Sequence, residues 1–170
     1  MTICYIAPIG HDLPTGQILP DVRFLPLTPE VPPFDIDAVM VFDGAGAGDR
    51  YVLELRRSGR PFTRMGTVTA EQLPGVLEAY RDSLAGVPRT NYQPVDCNFY
   101  DNFEAAIVQR RKIALTYVEA EGEKVTIITG LNDLKTHRTE EYVQLADEKW
   151  LRLDRVVAVD GVEAEDSCRF

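Results

Sequence analysis

Residues 94–106 read PVDCNFYDNFEAA and crowd one cysteine, two aspartates, one glutamate, two phenylalanines and a tyrosine around a helix start. Four chemistries use such a set: a metal site, a catalytic acid, a cap over a hydrophobic core, or a face that binds a partner. A metal site needs cysteine or histidine ligands at short, regular spacing. Cys4, Cys97 and Cys168 are scattered and odd in number, with no C-x-x-C pair, and His11 and His137 stand far apart. We therefore expect no metal and no disulfide framework. Cys97 sits where a helix start would favour a thiolate. With no histidine or lysine nearby to act as a base, it reads as a small buried hydrophobe. The serines, Ser58, Ser83 and Ser167, occupy no nucleophile elbow. Carboxylates are plentiful, but a general acid needs a cleft that raises its pKa, and no pattern here specifies one. The expectation is a protein that is not an enzyme and carries no cofactor.

One further motif invites a chemical reading. The stretch FDGAGAGDR, residues 42–50, resembles a phosphate-binding loop in its glycines. The fingerprint G-x-G-x-x-G would need glycine at position 49, where Asp49 stands, and no P-loop Lys-Ser/Thr pair follows. It reads instead as a flexible connection, because glycine permits positive φ in turns.

The elements that position these residues fall into two segments. Ten of the eleven prolines precede residue 90, and all four lysines follow residue 110. The shift places a junction near AGVPRTNYQP, residues 85–94. Residues 1–88 read as a small α+β domain: a strand at TICYIA, then a proline-rich meander. DAVMVFD and RYVLELRR read as two strands around the glycine loop, and PFTRMGTVT as a third. A helix over 70–85 follows. Thr69 and Gln72 form its capping box, Val76, Leu77, Tyr80 and Leu84 its apolar stripe, and Gly86 its stop.

Residues 91–162 read as a helix followed by about five short strands, the pattern of a small, strongly bent barrel, with 163–170 as a tail. In the helix Asn98 is the expected N-cap, and Asp101 lies in the first turn, where a carboxylate favours the helix dipole. Phe99, Phe103, Ala106 and Ile107 fall on one face. Tyr100, Asp101 and Glu104 fall off that stripe as surface neighbours. Spacing alone leaves open whether they are merely solvated or form a binding face.

Bulk properties narrow the partners. At 45% hydrophobic and 26% charged residues, the chain is an ordinary globular one. A formal net charge of −9 argues against direct nucleic-acid binding, which calls for a basic face, and suits a basic partner. No apolar run approaches the roughly 18 residues of a membrane helix. The N-terminus lacks the basic region of a signal peptide. These features predict a soluble, cytoplasmic protein without a membrane partner.

The second segment carries a resemblance. YQPVDCNFYDNFEAA, ALTYVEAEGEKV, DLKTHRTEEYVQL and WLRLDRVVAVDG resemble, in order, the Rho-binding antiterminator (Rof) family. That family opens on Y-x-P-[IV]-[DN]-C-x-x-Y-D-x-x-E-x-A. It continues with a G-E-K-type hairpin, a D-L element, an E-Y strand and a closing L-R-L-D strand. The match runs from Tyr92 to about Gly161, roughly two fifths of the chain. The resemblance implies an Sm-like small β-barrel with an N-terminal helix. It also implies a protein that binds the transcription terminator Rho and blocks RNA loading at its RNA-binding region. Carried over by position, Asp96, Tyr100, Asp101 and Glu104 are the implied contacts, with Asp133 from the D-L element. Asp154 is implied as structural and Cys97 as packing. Asn98 and Phe99 stand where family members often carry acids. The alternative is an Sm-like barrel used as an RNA-binding or assembly module without Rho.

Overall fold

The computed structural model describes residues 1–8, 10–45 and 50–164 of the 170-residue chain. The protein is mixed α+β and divides into two compact units, Met1–Asn91 and Tyr92 onward. Among the described residues no helix is long and apolar enough to cross a membrane.

The first unit is built on five strands: β1 (Thr2–Ile6), β2 (Gly16–Leu19), β3 (Val22–Pro26), β4 (Ala38–Phe42) and β5 (Phe62–Met65), in the order β2-β3-β1-β4-β5. The expected meander is not what forms. β1 pairs in parallel with both β3 and β4, and β4 in parallel with β5; only the β2–β3 ladder is antiparallel. Parallel neighbours cannot be joined by a hairpin and need a crossover. RYVLELRR supplies it as helix α1 (Arg50–Arg57), not as the expected strand. Its Val52 and Leu55, three apart, are the buried positions. Of the glycine connection, Gly46, Ala47, Gly48 and Asp49 lie outside the described residues.

Helix α2 (Leu73–Ser83) covers the opposite face. Strand alternation separates the two layers. Ile3, Tyr5, Phe24 and Met40 pack with Leu73 and Leu77 of α2, whereas Cys4, Val39 and Val41 pack with Leu55 of α1. All five residues of β4 are buried, as a central parallel strand covered on both faces requires. The box before α2 is present: the Thr69 amide donates to Gln72 Oε1 (3.1 Å) and the Gln72 amide to Thr69 Oγ1 (3.4 Å). Residues 70–72 form a turn, so the regular helix starts three residues later than expected. Residues 89–91 are tied back to this unit. Arg89 Nε donates to Asp37 Oδ1 (2.6 Å), Arg60 Nη1 to the Arg89 carbonyl (3.1 Å), and the Asn91 amide to the Ser58 carbonyl (3.2 Å).

The second unit opens with α3 (Cys97–Val108). Seven strands follow among the described residues: β6 (Ile113–Val118), β7 (Lys124–Thr129), β8 (Leu131–His137), β9 (Glu140–Leu145), β10 (Trp150–Arg152), β11 (Val156–Val159) and the short β12 (Val162–Glu163). The seven strands exceed the five or so expected, and β8 is one that hydrophobic pattern does not mark. Leu131 is its buried residue and Leu134 is half-buried, while its exposed positions are polar, so it holds by pairing with β9 rather than by hydrophobic pattern. The ladders give two antiparallel sheets, β10-β9-β8 and β12-β11-β6-β7, rather than a closed barrel. Both contribute to one core, where Phe99, Phe103 and Ala106 of α3 meet Ile113, Leu115, Val143, Leu153 and Val159.

Candidate partner-binding face

The start of α3 is set by Asp96. Its backbone is extended (φ −62°, ψ 141°), and Oδ1 accepts hydrogen bonds from the amides of Asn98 (2.8 Å) and Phe99 (3.3 Å). Asp96 is therefore the N-cap, correcting the expectation of Asn98. The correction shifts the frame by two residues, and Asn98 becomes an exposed first-turn position. Cys97 is exposed as well, not packed as expected. The helix buries its other face: Phe99 and Phe103 meet edge to face, with ring centroids 5.3 Å apart at 86°.

Tyr100 lies beside that stripe, half-buried against the core. Its phenol is held above its ordinary pKa, first by burial, then by the negative charges of Glu141, Glu104 and Asp133. Tyr100 thus lies within electrostatic reach of carboxylates from three elements. Glu104 comes from the next turn of α3 and is exposed, Asp133 from β8 and is exposed, and Glu141 from β9. Asp133 Oδ1 also accepts the Leu134 amide (2.8 Å). Among the described residues no three His, Cys, Asp or Glu side chains are placed to hold a metal ion.

Of the expected contact residues, Glu104 and Asp133 are the ones whose charges reach the Tyr100 phenol. Asp101 is exposed on α3, but it is not one of the three charges that act on the Tyr100 phenol. Asp96 is occupied as a cap. Glu141 is the member that sequence reasoning missed. The signal was present in the pair Glu140-Glu141, but choosing between two adjacent acids requires the strand register.

A buried ionic lattice holds Glu141 in place. Glu140 is wholly buried and pairs with Arg152 (3.3 Å), which is itself 5% exposed. The Arg152 guanidinium also grips both oxygens of Asp154, at 2.7 Å and 2.9 Å. Such a bidentate pairing is directional as well as strong. The Tyr92 ring lies 5.5 Å from the same guanidinium, and its hydroxyl donates to Glu141 Oε2 (2.6 Å). Burial first, then this hydrogen bond, pushes the Tyr92 phenol well above the usual range. The Gln93 amide donates to Asp154 Oδ2 (3.2 Å). The lead-in to α3 is thus strapped to Glu141 of β9 and to Asp154, which has the structural role expected of it.

Chemically, the arrangement offers hydrogen-bond acceptors and negative potential around an aromatic ring, suited to a cationic partner surface. No protein-family model matches the chain, and no curated protein matches it.

Proposed function

We propose that the chain is a binding module that modulates Rho-dependent transcription termination in the cytoplasm. It docks on the RNA-binding region of Rho through the Tyr100 face and so keeps RNA from loading. The second unit is then an Sm-like domain of the Rof kind, opened into two sheets. The observation that carries this reading is the set of exposed carboxylates, Glu104 of α3 and Asp133 of β8, which with Glu141 act electrostatically on the half-buried Tyr100. The motif order from Tyr92 to Gly161, and a helix followed by antiparallel strands around one core, support it further. A surface that binds RNA phosphates is basic. An acidic face on a chain of net charge −9 competes for it electrostatically.

The test is titration of Rho with the full chain at two salt concentrations. Wild type binds, and binding weakens as salt rises. The double substitution Glu104→Lys, Asp133→Lys places positive charge against a positive groove and lowers affinity by about a hundredfold or more. A folded double variant that binds Rho as wild type does would overturn the proposal.

A further inference from the structure

The first unit holds a cleft that the Rho reading does not use, at a place its topology singles out. From β1 the chain leaves toward β2 and β3, on one side of the sheet; from β4 it leaves through α1 toward β5, on the other. β1 and β4 are adjacent and parallel, so the connections that follow them part company between two neighbouring strands. In open α/β sheets that switch point, outside the carboxyl ends of the strands, is where ligands bind.

An open cleft of about 260 Å³, including its solvent-open part, lies there. Pro8 and Leu13 from the connection after β1, and Phe42 at the end of β4, give it apolar walls. His11, Asp43 and Thr67 bring polar groups from the connections after β1, β4 and β5. Among the described residues these three side chains enter no hydrogen bond or ion pair. Gly44, at φ +80°, follows Asp43 at the rim, and a Cβ there would stand 3.3 Å from Pro8 Cγ. Glycine is therefore what lets this connection pass so close to Pro8.

The chemistry of the lining selects a ligand. The Asp43 carboxylate repels a bare anion and asks for donors, and its two oxygens suit a pair of them. The enclosed floor has room for about one or two water-sized groups. A vicinal diol meets both conditions. We infer that this cleft binds a vicinal diol of the kind a ribose presents, its two adjacent hydroxyls donating to Asp43.

The inference is tested on the full chain by heteronuclear NMR, with adenosine as the probe. Adenosine in the millimolar range shifts the backbone amides of Leu13, Gly44 and Thr67. 2′,3′-Dideoxyadenosine, which lacks the diol, binds about tenfold more weakly, as loss of hydrogen bonds to a charged group requires. Asp43→Asn weakens adenosine to a similar extent. The inference fails if adenosine moves none of these amides, or if the dideoxy compound titrates them equally. That second comparison uses wild-type protein and stands whether or not the variant folds.

Discussion

The Tyr92 hydroxyl donates a 2.6 Å hydrogen bond to Glu141 Oε2, and that same carboxylate acts on the phenol of Tyr100. One side chain thus links the strap that leads into α3 to the acidic face that α3 presents. Removing the donor by Tyr92→Phe is expected to cost about 1.5–3 kcal/mol of stability, the range for a hydrogen bond to a charged group. Chemical denaturation of wild type and variant measures it.

The cap and the proposed contacts can be separated at Asp96. Asp96→Ala removes the acceptor for the Asn98 and Phe99 amides and should cost about 1 kcal/mol, whereas Asp96→Ser should recover most of it. Thermal melts of the two variants check the capping role. If Asp96 also touches Rho, Asp96→Ser will bind more weakly than wild type despite its restored stability.

Buried and exposed residues of α3 should differ sharply in how much stability they carry. Phe103 is wholly buried, so Phe103→Ala is expected to cost about 3–5 kcal/mol. Asp101 is exposed, and Asp101→Lys is expected to change stability by less than about 1 kcal/mol. Denaturant midpoints of both variants provide the comparison.

In the first unit, Arg89 and Asp37 form an ion pair at 2.6 Å with side chains 16% and 10% exposed. Asp37 Oδ2 also accepts the Thr2 amide at 2.7 Å. Removing one partner strands the other in a desolvated site, so Arg89→Ala should cost about 3–5 kcal/mol. Adding Asp37→Ala to it should cost less than the sum of the two single changes. A double-mutant cycle measures that coupling.

Stability should also fall in alkali. Burial pushes the Cys4 thiol and the Tyr80 phenol each up to about 12, from 9.0 and 10.0. In the unfolded chain these groups ionise at their ordinary values, so the unfolded state binds fewer protons than the folded state across this window. Stability is therefore full below about pH 9 and is lost as pH rises toward 12, by at most about 1.4 kcal/mol per pH unit for each group. Denaturant midpoints across that range, followed alongside phenolate absorbance, check the direction.

Features that depend on near neighbours were legible in the sequence. The spacing of Phe99, Phe103 and Ala106 determines the buried face of α3, because helical periodicity is a local property. The Thr69–Gln72 box closes between residues three apart and forms as its types imply. The cap of α3 stands two residues before the expected Asn98 because aspartate and asparagine compete for that role. Either side chain can accept the amides, and only the backbone path after Pro94 chooses between them.

What the tertiary structure decided are the pairings between distant segments. RYVLELRR carries a short apolar run that suits a strand, but β4 and β5 align in parallel, and only a crossover joins parallel neighbours. Hydrophobic pattern reports burial, not strand direction, so that choice lay outside local sequence. The acidic face has the same origin. Tyr100 and Glu104 share a helix and were visible together, whereas Asp133 and Glu141 join them through the β8–β9 register. A slip of one residue would exchange the environments of Glu140 and Glu141, because alternate strand residues face opposite sides. The buried partner Arg152, across on β10, is what holds Glu140 inside and leaves Glu141 for Tyr92 and the acidic face.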